Sequence, residues 1–306
     1  MIVVATSDKG GTGRSVTGSN VVYRRALQGG DVCYVDFDFG SPTAGAIFGV
    51  SALTRGTRSG KGTHSYLRGR SSDVERCDVW QNSDRTSLRQ RPPGTGQLIL
   101  VPGDEGGGEF SFEEDAVGRC IDLFLRLHSE FEVVLVDLSA GRSYDAEIVI
   151  EATSSPALAN VTTRWLVFHR WTRQHIHAAS GLVFGGRGLL DIGEEHGLER
   201  DRFIEDIRFV RTAIVDPNAP DLAGLRPPQL AWLRETNRGL QKLGAELNVG
   251  RSAMLGEVPL DPVLQWREQL ITDSDVWARH VANQATIEAF DSIAKKIVDE
   301  SAWEQL

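Results

Sequence analysis

Cysteine is scarce in this chain of 306 residues, and the three present are scattered: Cys33, Cys77 and Cys120 stand far apart with no CxxC pair. That excludes a disulfide framework and gives no support to a zinc or iron–sulfur site. Cys33 and Cys120 are expected to be core thiols. Long apolar runs are missing too, none approaching the roughly 18 residues of a membrane-spanning helix. The first residues enter a β-branched run at once, so no signal peptide is expected and the expected location is the cytoplasm. Positive charge is in deficit: 33 Lys and Arg stand against 42 Asp and Glu, a formal net charge of −9. That argues against bulk affinity for nucleic acid or anionic membrane, although a local basic patch would still serve either. What remains is globular, 41% apolar and 25% charged, in a length that holds one large core. There is no internal repeat.

The most informative stretch is Ser7-Asp8-Lys9-Gly10-Gly11-Thr12-Gly13-Arg14-Ser15. It follows an apolar run at residues 1–5 and precedes a helix-compatible stretch at 15–27, which makes strand, glycine loop, helix. Gly10, Gly11 and Gly13 allow consecutive N–H groups to aim at one anion, and the helix start adds its positive dipole end. Glycines after a strand also make plain tight turns. With Lys9 and Ser15 in place, a phosphate loop is the better reading, Ser15 holding Mg²⁺. Its working position is unusual: Arg14 stands where the pattern demands lysine.

Short apolar strands are expected at residues 32–37, 97–101, 132–138, 164–168, 207–215 and 254–258. Helices are expected at 114–129, 174–183, 228–247 and 282–300. Such alternation predicts an α/β fold, a mostly parallel twisted sheet with helices on both faces, as one P-loop domain over 1–306. Ligands of such sheets sit at the carboxyl ends of the strands. Two carboxylate motifs fall there, Val35-Asp36-Phe37-Asp38 and Val136-Asp137-Leu138-Ser139-Ala140-Gly141. A lone strand-end Asp is often only a cap. Three behind a phosphate loop predict a Mg²⁺ sphere with Ser15 bound directly and Asp137 through water, and Asp38 orienting an attacking water.

These motifs together resemble the ParA/MinD group of deviant Walker A ATPases: KGGxGKT reads here as KGGTGRS, DxD as Asp36-Phe37-Asp38, and the hydrophobic-D-x-x-x-G switch as VDLSAG. The resemblance runs over nearly the whole chain, including Val258-Pro259-Leu260-Asp261, similar to the loop that touches the base. Within the superfamily it is nearest an actinobacterial group of variant P-loop proteins. The resemblance implies ATP or ADP with Mg²⁺ on Gly10, Gly11, Thr12, Gly13, Arg14, Ser15 and Val16, with Pro259 and Asp261 near the base. It implies Asp36 near the metal, Asp38 at the hydrolytic water, and a face-to-face homodimer in which Lys9 crosses to the partner's phosphates. The expected function is an ATP/Mg-dependent dimerising switch that engages another protein, with slow or partner-stimulated hydrolysis. A non-hydrolysing scaffold is the alternative, and a small-molecule ligase on the same fold is weaker.

Departures from the family set the open questions. Arg14 is planar, larger and bidentate where lysine is a compact point charge. Val16 replaces a hydroxyl expected at the α-phosphate, and Phe209-Val210-Arg211-Thr212-Ala213 lacks the base-recognising Asn. Nucleotide binding is therefore better supported than hydrolysis.

Three segments remain. Residues 51–97 hold nine Arg and Lys against four acids, with turn signals; the 63–69 part resembles the family's short helix after switch I, so the whole is not a free linker, and the rest reads as a solvated basic insertion, or less favourably a docking surface for an acidic partner or DNA. The run from Arg164 to His175 concentrates aromatic and cationic side chains at a strand end. Packing is its plainer role, with Arg170 or Arg173 the candidates to meet an anion; His175 and His177 are wrongly spaced for a metal pair. The Pro/Gly-rich stretch 216–228 is expected to be a polar insertion. The final helix lacks the cationic face of a membrane-seeking helix, so no membrane association is expected.

Overall fold

The computed structural model describes residues 1–108, 114–217 and 224–304. Eight strands form one sheet: β1 Ile2–Ser7, β2 Val32–Phe37, β3 Cys77–Asp78, β4 Leu98–Val101, β5 Val133–Ala140, β6 Thr163–Arg170, β7 Ile207–Ile214 and β8 Met254–Pro259. Their order is β3-β4-β2-β5-β1-β6-β7-β8. All pairings are parallel except β3 with β4. The helices are α1 Arg14–Leu27, α2 Ala44–Ile47, α3 Thr63–Leu67, α4 Val79–Asn82, α5 Thr86–Arg89, α6 Glu114–Glu130 and α7 Tyr144–Ser154. They continue with α8 Arg173–Phe184, α9 Leu189–Glu195, α10 Arg200–Glu205, α11 Pro227–Glu246, α12 Pro262–Trp266 and α13 Gln284–Lys296.

The strands read as unbroken apolar runs because both faces of the sheet are covered. Ile2 and Val4 of β1, with Val134, Val136 and Leu138 of β5, enter one core beneath α6, α7, α8 and α9. Val3 and Ala5, with Val133 and Leu135, enter the other beneath α1 and α13. Parallel strands put all their carboxyl ends on one edge, and the loop after β1 lies near the middle of it. Register does the rest: Asp36 of β2 pairs with Asp137 of β5, and Ala5 of β1 pairs with the same Asp137.

The expected strands all form, within a few residues of their expected ends. The final helix is shorter than expected, Gln284–Lys296 rather than 282–300. In the basic segment 51–97 the short helix expected at 63–69 forms as α3, and the solvated-insertion reading of the remainder is corrected. The segment carries α3, α4, α5 and the edge strand β3, and it buries Tyr66, Leu67, Val79, Trp80 and Leu88. Its aromatics are therefore unavailable for stacking on bases. Several of its cations pair with acids elsewhere, Arg76 with Glu130, Arg58 with Glu105 and Arg85 with Asp275. Residues 218–223 of the Pro/Gly-rich stretch lie outside the described residues. Among the described residues, no helix is long and apolar enough to cross a membrane.

Candidate functional site

Between Ser7 and Arg14 the chain makes the turn that the glycines predict. Gly11 and Gly13 take φ of +71° and +76°, left-handed values at which an L side chain is strained. Gly13 caps α1 without a side chain, and no acid occupies the helix's first turn. The first N–H groups and the positive dipole end are thus left for an anion. The turn is fixed from behind. Ser7 Oγ donates to the Lys9 carbonyl at 3.1 Å, Gly141 N donates to the Ser7 carbonyl at 2.8 Å, and the Thr212 hydroxyl on β7 donates to the Thr12 carbonyl.

Cavities open on both sides of this loop. One, of 270 Å³, is lined by Gly10 to Val16 together with Ser7, Asp38 and Thr43. The other, of 150 Å³, lies between Gly11, Thr12, Gly13 and Val16 and the ends of β7 and β8, including Thr212, Ala213 and Pro259. The first lies beside the anion-ready start of α1, the second beside the ends of β7 and β8. Ala213 reaches the second cavity through a left-handed turn, φ +53°, where the β7–β8 register shifts. The strand that the resemblance places at the base lines this cavity with Thr212 and Ala213, where an Asn was looked for. Arg170 also lines this cavity. Lys9 is exposed at the loop's tip, and Ser15 is half-buried beside the first cavity.

Arg14 does not point along the loop. It is buried, 6% exposed, and crosses to the strand ends: Nε donates to Asp137 Oδ1 at 2.5 Å, Nη2 to Asp38 Oδ2 at 3.3 Å and Nη1 to Ser7 Oγ at 3.3 Å. Burial opposes the charge of Arg14, but Asp137 and Asp38 outweigh it and hold its pKa above the ordinary value. Burial lifts Asp38's pKa by more than Arg14 lowers it, and at 3.3 Å against 2.5 Å its contact is the longer half of this bridge. Asp137's second oxygen accepts from Tyr34 Oη at 2.6 Å. Burial and the neighbouring carboxylates keep that phenol protonated and donating.

Asp36 is spent differently. Its two oxygens accept the backbone N–H groups of Asp38 at 3.1 Å and Ala44 at 3.2 Å, so it shapes the turn after β2. Burial, then the adjacent Asp137, push its pKa well above the usual carboxylate value. Of the expected Mg²⁺ ligands Ser15, Asp36 and Asp137, both carboxylates thus have each oxygen already accepting one hydrogen bond from the chain itself. The buried Arg14 guanidinium on Asp137 puts a positive charge where a divalent ion would need a negative one, so in this arrangement the donor set fits such an ion poorly.

Asp261 lines the second cavity, yet its carboxylate is committed to the fold. It accepts from Val263 N, Asn283 N and Thr286 Oγ1. It therefore positions the loop that carries Pro259. Sequence reasoning missed Tyr34, Thr212 and Asp145. Asp145 accepts from Ser139 N and Ala146 N, holding the end of β5 against α7. An acid two residues after Ser143, at a helix start, was the available signal for it.

No protein family profile and no curated protein sequence matches this chain. Solved structures do. The MinD cell division protein of Aquifex aeolicus aligns over 97% of this chain and 96% of its own, with TM-score 0.59 and 16% identity. The septum site-determining protein MinD of Pyrococcus horikoshii, complexed with Mg-ADP, aligns over 100% and 99%, with TM-score 0.55 and 14% identity. A plasmid partition protein of Borrelia burgdorferi bound to AMPPNP aligns over 96% of both chains, with TM-score 0.55 and 12% identity. The chain has the fold of the MinD/ParA P-loop ATPases. The likeness is one of architecture, and on a MinD/ParA-like sheet the site's chemistry has to be argued from its own side chains.

One of those side chains gives the MinD/ParA-like sheet a pH dependence. His169, at the end of β6, is buried; its Nδ1 lies 3.2 Å from the Arg170 carbonyl, and its Nε2 has no hydrogen-bond partner among the described residues. Burial lowers its pKa from 6.5 to about 4. The folded state therefore holds His169 neutral, its contribution is complete above pH 6.5, and it fades as pH falls toward 4. At pH 4.5 this loss should amount to roughly 2–3 kcal/mol. Urea unfolding at pH 7 and 4.5 checks it: His169→Phe should lose correspondingly less stability between the two. An equal loss in both proteins would remove His169 from the account.

Proposed function

We propose that the chain is a nucleotide-dependent switch protein, built as one P-loop domain, that binds ATP or ADP at the loop between β1 and α1. The observation that carries this reading is the pair of cavities flanking that loop, one beside the anion-ready start of α1, the other walled by Thr212, Ala213 and Pro259. Gly10, Gly11, Thr12, Gly13 and Ser15 would hold phosphates, with Pro259 against the base and Asp261 fixing it there. The bound state would favour a homodimer, with exposed Lys9 reaching the partner's phosphates, and its surface would engage another protein. Hydrolysis would be slow or partner-stimulated, with Asp38 orienting the water. The expected place of action is the cytoplasm, with neither membrane nor DNA as the favoured partner.

A second reading, a scaffold that binds nucleotide without hydrolysing it, is favoured by the Arg14–Asp38 contact, because a carboxylate paired to a cation is a poorer guide for an attacking water. The ligase reading is weakened, because Trp165, Phe168 and His169 are buried, which leaves only the end from Arg170 onward to face a second substrate. Titrating the purified chain with a fluorescent ATP analogue, while following mass by light scattering, separates these. The switch binds and doubles its mass, and a scaffold keeps one mass throughout. Absence of binding with an unchanged mass would refute the switch and leave a nucleotide-free scaffold.

A further inference from the structure

Arg14 does what a lysine ammonium cannot. Its planar fork reaches two strand ends and the foot of the loop at once, through Asp137, Asp38 and Ser7. Those bonds use one hydrogen on each guanidinium nitrogen, so one hydrogen on Nη1 and one on Nη2 remain to donate. Arg14 also lines the phosphate-side cavity beside Gly10 to Ser15. A group with carboxylates on one side and spare donors at the wall of a phosphate cavity has the connectivity of a bridging cation.

We propose that Arg14 takes the place of the divalent cation, linking the strand-end carboxylates to the terminal phosphate of a bound nucleotide, so that this chain binds nucleotide without Mg²⁺. The proposal rests on the reading of the loop as a nucleotide site. Three observations support it beyond the contacts of Arg14. Each Asp137 oxygen already accepts a hydrogen bond, one from Arg14 and one from Tyr34 Oη, which leaves a single lone pair on each. Asp36 is in the same position, with Asp38 N on one oxygen and Ala44 N on the other. Moreover, the Arg14–Asp137 pair is almost wholly buried, and parting a buried, hydrogen-bonded ion pair leaves two charges uncompensated in a poor solvent for them. A metal entering this site meets the guanidinium's positive charge on the carboxylate that it needs. For a nucleotide phosphate that charge is no obstacle, since the fork forms bidentate bonds to phosphate oxygens with the donors it has left.

The test is the affinity of the full chain for a fluorescent ATP analogue, read by anisotropy in EDTA and in excess Mg²⁺. The natural chain should bind with dissociation constants within about threefold of each other, whereas Arg14→Lys, whose ammonium frees a carboxylate, should bind at least about tenfold tighter with Mg²⁺. Affinity of the natural chain falling about tenfold or more in EDTA overturns the proposal. So does an Arg14→Lys protein as indifferent to Mg²⁺ as its parent, because the indifference would not then come from the guanidinium. A second readout needs no variant: in electron paramagnetic resonance, Mn²⁺ should be held no more tightly by the protein–nucleotide mixture than by nucleotide alone. Tighter retention overturns the proposal. Metal-dependent binding removes this inference and leaves the nucleotide reading standing; binding in neither medium removes both.

Discussion

Asp137→Ala should lower the free energy of unfolding by about 3–5 kcal/mol, because it strands a buried guanidinium rather than merely deleting a contact. Arg14 would keep only the longer bond to Asp38 and the one to Ser7, and the fully buried Tyr34 hydroxyl would lose its acceptor. The cost belongs to the group left behind, so removing both charges should be milder than removing one. Arg14→Met with Asp137→Leu should recover much of the loss, and the double-mutant cycle should give a coupling well above the roughly 0.3–0.5 kcal/mol expected of independent sites. Urea denaturation of the four proteins measures this. Additive costs would show that the pair is not the unit described here, and would weaken the case for Arg14 as a bridge.

Trp165→Ala should be as costly, about 3–5 kcal/mol, while leaving nucleotide affinity within about twofold of the natural chain's. Trp165 is 1% exposed and packs edge to face on Phe203, with ring centroids 5.9 Å apart at 81°. It lies within β6, opposite Val4 on one side and Ile207 on the other, away from the strand's carboxyl end. Chemical denaturation gives the stability and anisotropy gives the affinity. A large loss of affinity in a protein that stays folded would return this aromatic run to the binding site and revive the second-substrate reading.

How much of this was legible in the sequence follows from how far each feature reaches along the chain. The loop and the strands are local. Apolar runs such as residues 32–37, and glycines that need left-handed backbone, state their conformation within a few residues. α7 was missed because it is buried on most sides, at Asp145, Ala146, Ile148, Val149, Ile150 and Ala152, so it carries little polar stripe to mark its period. β3 has only two residues and no period to detect. The fate of the basic segment was missed because its cations read as solvent-facing until their acidic partners, such as Glu130 and Asp275, are brought beside them. Arg14 was recognised as the odd residue, but its direction depends on Asp38 and Asp137, which only the order of β1, β2 and β5 brings within reach. Asp261 stood in the expected cavity for a reason the motif could not supply, since Asn283 and Thr286 claim its oxygens.

The register that sets Asp36 beside Asp137 has a consequence for how such a chain accumulates change. Two acids side by side in the middle of a sheet repel each other, and Arg14, 123 positions away from Asp137, offsets that repulsion. Drift at either end of the pair is therefore conditional on the other. A substitution tolerated after its partner has changed is harmful before, so the order of events matters as much as the residues reached. Positions 14 and 137 are expected to change in concert rather than independently.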